Sequence, residues 1–590
     1  MRFFHVYNED SFRGLEKNNM INRDTGFKIQ NVFSVPEERK FNNIAEIGGK
    51  LHSMIKNDKI PFYVDRIAGG ITYQRYDYDK NLIREYENIL GDWFLGFQLH
   101  ESASNRRLSD WKTIISRMGG NGPYDLGKLH EVMKRESSIT PDGEVLDALS
   151  QGTVEEYSKL KYAETIEEFI EEFRTLVKLR MDETLGHILP CDSFYQMTKL
   201  YDDLGIKTFM PEVGAQIPMM RKEVALARGV AKSSRKTWGL YYECWLGVPG
   251  VGHSMPCFNT ELKNEWYLTQ ETHQDDFTSF GKNGGSSRLL QDRIYHYALM
   301  SGADYFSEEW GLNCSYTDME TFDLSEYGEL KRDFIHFAEK MRGIRAKVPF
   351  AIVFPREAQC MQVLDYRFGG ERKDEFIGTF DKFKCVINEE VYKHLDTFAP
   401  EREDLLRCEA ILSLLFKRED NLFGNEGHTI TNSAFGDVFD IIYEDADASV
   451  FEKYDYLIDA TLGAKFAKKH EGENLKILDS ENLAELEGKL QDLIKETMPC
   501  YVSESLTWLV SEDECGRRFL SIFNNEGNTR SREFGDTVDH AADKTFAVTF
   551  KEKPNLSLVK EGKFVCEVIK QDDLTYTIKL PATSYAIFEF

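Results

Sequence analysis

Thr237-Trp238-Gly239-Leu240-Tyr241-Tyr242-Glu243-Cys244-Trp245-Leu246-Gly247 is an almost wholly apolar run that stops at a carboxylate and a tryptophan. The pattern returns at Gly302-Ala303-Asp304-Tyr305-Phe306-Ser307-Glu308-Glu309-Trp310-Gly311. Short apolar runs bounded by turn residues read as strands buried on both faces. A carboxylate at the last position of such a strand leaves the low-dielectric core where a cleft can open, which is where reacting groups sit in a parallel barrel.

Working outward from this stretch, eight strands are expected before residue 311: Arg2–Tyr7, Phe27–Phe33, Pro61–Asp65, Trp93–His100, Gly186–Pro190, Lys207–Pro211, Trp238–Glu243 and Ala303–Ser307. Helical periodicity at Ile44–Ile55, Asn81–Leu90, Phe194–Leu204 and Arg288–Met300 separates most of them. Thr165–Met181 carries one apolar stripe of a surface helix, and Tyr327–Met341 is expected to close the unit. Strand–helix alternation of this kind predicts a (β/α)8 TIM barrel, and about 330 residues fit the upper size range of that fold. The segment from about Ser102 to Glu155 is too long for a plain connection and is expected to shape a cleft.

The 590-residue chain is longer than one core serves, so further domains are expected. Three are read: a barrel over 1–346, a flavodoxin-like α/β domain over 347–499 and a C-terminal β-sandwich over 500–590. In the second, strands at Pro349–Phe354, Val438–Tyr443, Tyr456–Ala460 and Leu475–Leu478 alternate with helices at Leu405–Phe416 and Ser480–Thr497. No glycine-rich phosphate loop follows any of those strands, so scaffold or subunit contact suits the domain better than nucleotide binding. From Cys500 the period changes to two, as in Arg518–Phe523, Thr545–Phe550, Thr575–Leu580 and Ser584–Phe590, which predicts the sandwich.

A net charge of −27 argues against nucleic acid or an anionic membrane surface as partner. No apolar run approaches the ~20 residues that cross a bilayer, and the first residues lack a secretory apolar core. Ten cysteines without a framework spacing suit reduced thiols. Together these predict a cytoplasmic protein. No cofactor is implied and no metal site is expected. His100-Glu101 lacks the second histidine of a zinc motif, since position 104 is Ser. Cys191, Cys244, Cys257 and Cys314 fall near the expected mouth but are widely spaced.

The strand ends place Arg66, His100, Glu101, Glu212, Glu243, Glu308 and Glu309 around one opening. A single glutamate there would be read as a helix cap or ion-pair partner, and one of Glu308 and Glu309 suits an ion pair, for which Arg66 is a candidate. Several acids repel one another, which raises one pKa and leaves another carboxylate ionised. Retaining glycoside hydrolysis requires that pairing, with carboxyl groups about 5–5.5 Å apart. The fourth and seventh strands lie nearly opposite across an eight-stranded barrel, which selects Glu101 and Glu243. Trp245 and Trp310 offer faces for stacking on sugar C–H bonds, with core packing as the plainer account of each.

Glu243-Cys244-Trp245-Leu246-Gly247, Gly284-Gly285-Ser286-Ser287-Arg288 and Ala298-Leu299-Met300-Ser301-Gly302-Ala303-Asp304-Tyr305, in that order, resemble the nucleophile-to-last-strand region of the three-domain β-galactosidases of glycosidase clan A. Gly96-Phe97-Gln98-Leu99-His100-Glu101 is similar to their acid/base strand. The resemblance implies a catalytic barrel, a flavodoxin-like trimerisation domain and a small β domain, with Glu101 as acid/base, Glu243 as nucleophile and a small β-linked sugar as substrate. It also implies a homo-oligomer, trimer or dimer, through the second domain. The family pattern has Asn before the acid/base; here His100 stands there, which changes the group offered to the sugar 2-hydroxyl or makes it a core histidine. Two rivals remain: a non-catalytic sugar-binding protein on the same scaffold, and a glycosidase that uses Glu308 or Glu309 as nucleophile.

Overall fold

In the computed structural model, the described residues are 1–7, 9–29, 49–64, 80–100, 166–192, 197–213, 220–242, 244, 287–309, 315–318, 320–360, 403–417, 430–531 and 535–590. The first unit is the expected barrel. Its parallel strands are β1 (Arg2–Tyr7), β2 (Thr25–Ile29), β3 (Phe62–Val64), β4 (Phe94–His100), β5 (Ile188–Cys191), β6 (Thr208–Phe209), β7 (Glu212–Val213), β8 (Thr237–Tyr242) and β9 (Tyr305–Glu308). They run β5-β4-β3-β2-β1-β9-β8-β6, with β7 also on β8. The pieces β6 and β7 are one strand interrupted at Met210-Pro211, where proline has no N–H to give. Backbone bonds from Met210 N to Pro190 O (3.2 Å) and from Glu212 N to Asp192 O (3.1 Å) close the ring. Eight strand positions therefore form a closed parallel barrel.

Period-two alternation sorts the side chains. Phe3, Phe27, Phe62, Phe97, Leu240 and Phe306 join the large outer core beneath the helices. Phe4, Tyr63, Leu95, Leu189, Cys191, Met210 and Tyr241 form a separate cluster inside the barrel. Around it lie α1 (Glu9–Lys17), α2 (Lys50–Asp58), α3 (Lys80–Leu90), α4 (Ile166–Glu183), α5 (Thr198–Asp203), α6 (Met220–Ser234), α7 (Arg288–Met300) and α8 (Glu326–Ala338). Of these, α1 and α6 were absent from the helices expected from sequence. Of the expected helix Ile44–Ile55, residues 44–48 lie outside the described residues, as does the segment 101–165.

The second unit has four parallel strands, β11 (Phe350–Phe354), β12 (Phe439–Tyr443), β13 (Tyr456–Asp459) and β14 (Ile477–Asp479), in the order β12-β11-β13-β14. The third has two antiparallel sheets, β10-β16-β17-β24-β21 and β15-β20-β23-β22. Their strands are β10 (Arg345–Ala346), β15 (Cys500–Val502), β16 (Thr507–Glu512), β17 (Arg518–Phe523), β20 (Lys544–Phe550), β21 (Ser557–Glu561), β22 (Glu567–Lys570), β23 (Thr575–Leu580) and β24 (Tyr585–Glu589). β10, just after the barrel, pairs with β16, so the connection itself adds a strand to the last sheet. A hairpin of β18 (Asn528–Ser531) and β19 (Gly535–Val538) reaches back to the barrel, where Asp536 accepts from the N–H of Arg288 at the start of α7 (3.0 Å).

The helix α6 is buried along most of its length. It lies against β12, the edge strand of the second unit. A Cβ on Gly229 would stand 2.2 Å from the Ile441 carbonyl oxygen, so only glycine allows this approach. Arg228 donates through Nε to Asp440 (2.6 Å) and through Nη2 to the Phe439 carbonyl (3.0 Å), with Asp437 at 3.6 Å. Burial alone would lower the Arg228 pKa, but Asp440 and Asp437 outweigh it and raise it. Replacing Arg228 by Met leaves two buried carboxylates short of their main cation, which costs about 3–5 kcal/mol when one partner of a buried pair is removed. Urea unfolding of Arg228→Met should show that loss; a change within about 0.5 kcal/mol, typical of an uncoupled surface site, would contradict it.

Candidate active site

The C-terminal mouth of the barrel is set by an irregularity in β4. Gly96 has φ +95°, and the β3–β4 register shifts beside it. The extra residue is a bulge, and it inverts the alternation: Leu95 points in, Phe97 points out, and Gln98 and His100 point in again. A Cβ at Gly96 would stand 2.4 Å from the His187 carbonyl carbon, so the position excludes other residues on two counts. The His100 ring meets Tyr241 edge-on at 5.8 Å between centroids, and its Nδ1 lies 3.4 Å from the Gln98 amide nitrogen.

Two carboxylates meet this imidazole. Glu309 Oε1 is 3.4 Å from His100 Nε2, and Glu212 Oε1 is 3.9 Å from Nδ1. His100, Glu212 and Glu309 are 4%, 1% and 2% exposed, so the group is held in a low-dielectric environment. They come from the fourth, sixth and eighth strand positions; alternate strands share one interior layer in such barrels. Glu309 is fixed by its own backbone: its N–H donates to Tyr242 O (2.8 Å), and Cys244 Sγ donates to its carbonyl (3.0 Å). The residues on either side of position 243 are thus both bonded to Glu309.

Glu308, one residue earlier, faces the other way. Its carboxylate accepts from Tyr295 and Tyr327 and pairs with Lys331 Nζ at 2.6 Å, all buried on α7 and α8. The ion pair anticipated for one of this glutamate pair therefore belongs to Glu308, with Lys331 on α8 as its partner. Burial, then the Glu308 charge, raises the Tyr295 hydroxyl well above its ordinary range, so it remains a donor. Lys28, buried inside β2, donates to Tyr241 Oη (2.7 Å) and to the Glu308 carbonyl (3.2 Å). Tyr63 and Ser307 share a hydrogen bond of 2.6 Å one level below.

Of the residues expected at the mouth, the structure brings His100, Glu212 and Glu309 together and turns Glu308 to the helix layer. Arg66, Glu101, Glu243, Trp245 and Trp310 lie outside the described residues. So do Cys257 and Cys314, while Cys191 lines the barrel interior and Cys244 bonds Glu309. Lys28, Gln98 and Tyr241 were not among the expected site residues. The signal for Lys28 was a lysine inside the run Thr25-Gly26-Phe27-Lys28-Ile29, every residue of which is buried.

No family model matches the chain, and no curated protein matches it. Among solved structures it is similar to the catalytic module of a family 98 glycoside hydrolase from Streptococcus pneumoniae TIGR4, at 10% identity and TM-score 0.42, covering 99% of this chain and 98% of the other. It is similar also to a β-galactosidase from the Antarctic haloarchaeon Halorubrum lacusprofundi, at 9% identity and TM-score 0.42 over 100% and 99%. An α-L-fucosidase from Paenibacillus thiaminolyticus matches at 9% identity and TM-score 0.39 over the same shares. The assignment of the barrel rests on its own strand order and closing bonds, and likenesses this distant bear on no activity.

The Gly96 bulge predicts that Gly96→Ala lowers stability by about 1–3 kcal/mol through a strained backbone and displaces His100. Thermal unfolding together with the histidine ring resonances of the variant would test both parts. His5, which points out from β1 toward α8, is pushed well below the usual histidine range by burial and then by the Lys331 charge. It stays neutral in the fold, whereas the unfolded chain binds a proton near pH 6.5, so its contribution is complete above that pH and is lost as pH falls. Stability should drop by up to about 1.4 kcal/mol per pH unit below pH 6.5 from this group. His5→Leu should flatten that slope in urea titrations at several pH values, leaving the part due to His187, which burial also lowers.

Proposed function

We propose that the chain is a retaining glycoside hydrolase acting on a small β-linked, galactoside-like substrate. The observation that carries this reading is the buried convergence of His100, Glu212 and Glu309 at the mouth of a closed parallel barrel. Glu101 follows His100 in the chain, and Glu243 lies between two residues bonded to Glu309. Glu243 attacks the anomeric carbon while Glu101, protonated, gives its proton to the leaving oxygen. The covalent glycosyl-enzyme is then hydrolysed with Glu101 as base toward water. Glu212, Glu309 and His100 bind sugar hydroxyls in this scheme, Arg66 completes the rim, and Trp245 and Trp310 stack on the ring. Glu308 acts from behind, holding the strand end that presents Glu309. The protein works as a homo-oligomer in the cytoplasm, associated through the second unit.

A panel of aryl β-glycosides tests this directly. Glu101→Gln should lower kcat about 10²–10⁴-fold, the range that general acid–base catalysis supplies. Glu243→Gln should lower it at least as far, and azide should rescue a Glu243→Ala variant as a glycosyl azide of inverted configuration. Full activity in Glu243→Gln would move the nucleophile to Glu309, the rival with a carboxylate at the mouth. Absence of hydrolysis by wild type across the panel, with sugars still bound, would replace the reaction by a binding role.

A further inference from the structure

We infer that His100, Glu212 and Glu309 form a binding site for one divalent transition-metal ion. The inference concerns the same mouth but does not require it to be hydrolytic. One ligand atom from each residue lies within 4.8 Å of the other two. Glu309 approaches His100 Nε2 at 3.4 Å, while Glu212 stands 3.9 Å from the other ring nitrogen, Nδ1. Donors about 2.0–2.2 Å from one ion stand roughly 3–3.5 Å apart; His100 Nε2 and Glu309 already have that separation, and Glu212 is the donor that must close in.

Three further features favour an ion. The first is the imidazole's setting. A metal-bound histidine engages its other ring nitrogen with a polar group that fixes tautomer and orientation. Here Gln98, itself fully buried, stands 3.4 Å from Nδ1, while Tyr241 closes the ring edge, leaving Nε2 toward Glu309. The second is rigidity. Glu309 is tied by Tyr242 and Cys244, Glu212 by its backbone bond to Asp192, and His100 by the β4–β5 ladder, so the donors are held before an ion arrives. The third is burial. All three donors are almost wholly buried, so an ion held between them is shielded from bulk water. One borderline nitrogen with two hard oxygens suits Zn²⁺, Mn²⁺ or Fe²⁺ better than Mg²⁺ or Ca²⁺. Three protein donors leave positions open for water or substrate oxygens.

The test is calorimetric titration of the chelator-treated full chain with Zn²⁺ alone, without substrate. One ion per chain is expected. Gln98→Leu, which removes only the outer-shell partner, should weaken binding about 10–100-fold, and Glu309→Gln and His100→Ala at least as much. Circular dichroism checks that each variant is folded, and Glu212→Gln, nearly isosteric, stands in for any that is not. Among the described residues, the exposed thiol Cys515 is a competing surface ligand. Zinc binding that survives His100→Ala and Glu309→Gln at wild-type strength, or that disappears in Cys515→Ser, overturns the assignment, as does a wild type that binds none. A chain that binds zinc as described but cleaves no glycoside would overturn the proposed reaction and keep the metal site.

Discussion

Closure of the parallel sheet is the constraint on which the remaining structure depends. Once Met210 and Glu212 bond back to the β5 strand, every strand has two neighbours and every side chain is either inside the ring or outside it. Nothing intermediate is available, because alternation has a period of two residues and a slip of one exchanges the faces. The bulge at Gly96 is such a slip, made on one strand. It places Phe97 under the helices and turns His100 inward to meet Glu212 and Glu309.

The same parity explains why two adjacent glutamates have unlike surroundings. Glu308 emerges outside and is clasped by two tyrosines and a lysine on α7 and α8; Glu309 emerges inside beside an imidazole. The outward member is anchored in the helix layer, and the inward member gains orientation from that anchorage. Buried ionic clusters of this kind add less to net stability than their short distances suggest, since desolvation offsets most of the attraction. What they fix is geometry at a strand end.

Much of this was legible in the sequence. The eight buried runs stood out because both faces of a barrel strand are covered, so they are mostly apolar. The change to alternation after Cys500 was equally plain. His100, Glu212 and Glu309 were legible as strand-end groups around one opening, but their direct contact was not, since residues 100, 212 and 309 meet only through ring closure. The direction of Glu308 was hidden for the same reason. The helix α6 was missed because Met220-Arg221-Lys222-Glu223 begins with charges, and burial in an interface replaces the usual single apolar stripe. Arg221 and Arg228 on that helix donate to carbonyl and carboxylate oxygens of the second unit.

That helix also limits how the second unit can associate. A parallel sheet has two open margins, each a row of unpaired backbone groups able to recruit a foreign strand. On the β12 side the row is occupied by α6, whose Arg228 takes the Phe439 carbonyl and whose Gly229 presses on that of Ile441. Among the described residues, a sister molecule joining through this sheet is left its faces or its β14 margin. The β12 margin belongs to the barrel, so severing the two units would expose an adhesive border rather than release a self-sufficient module.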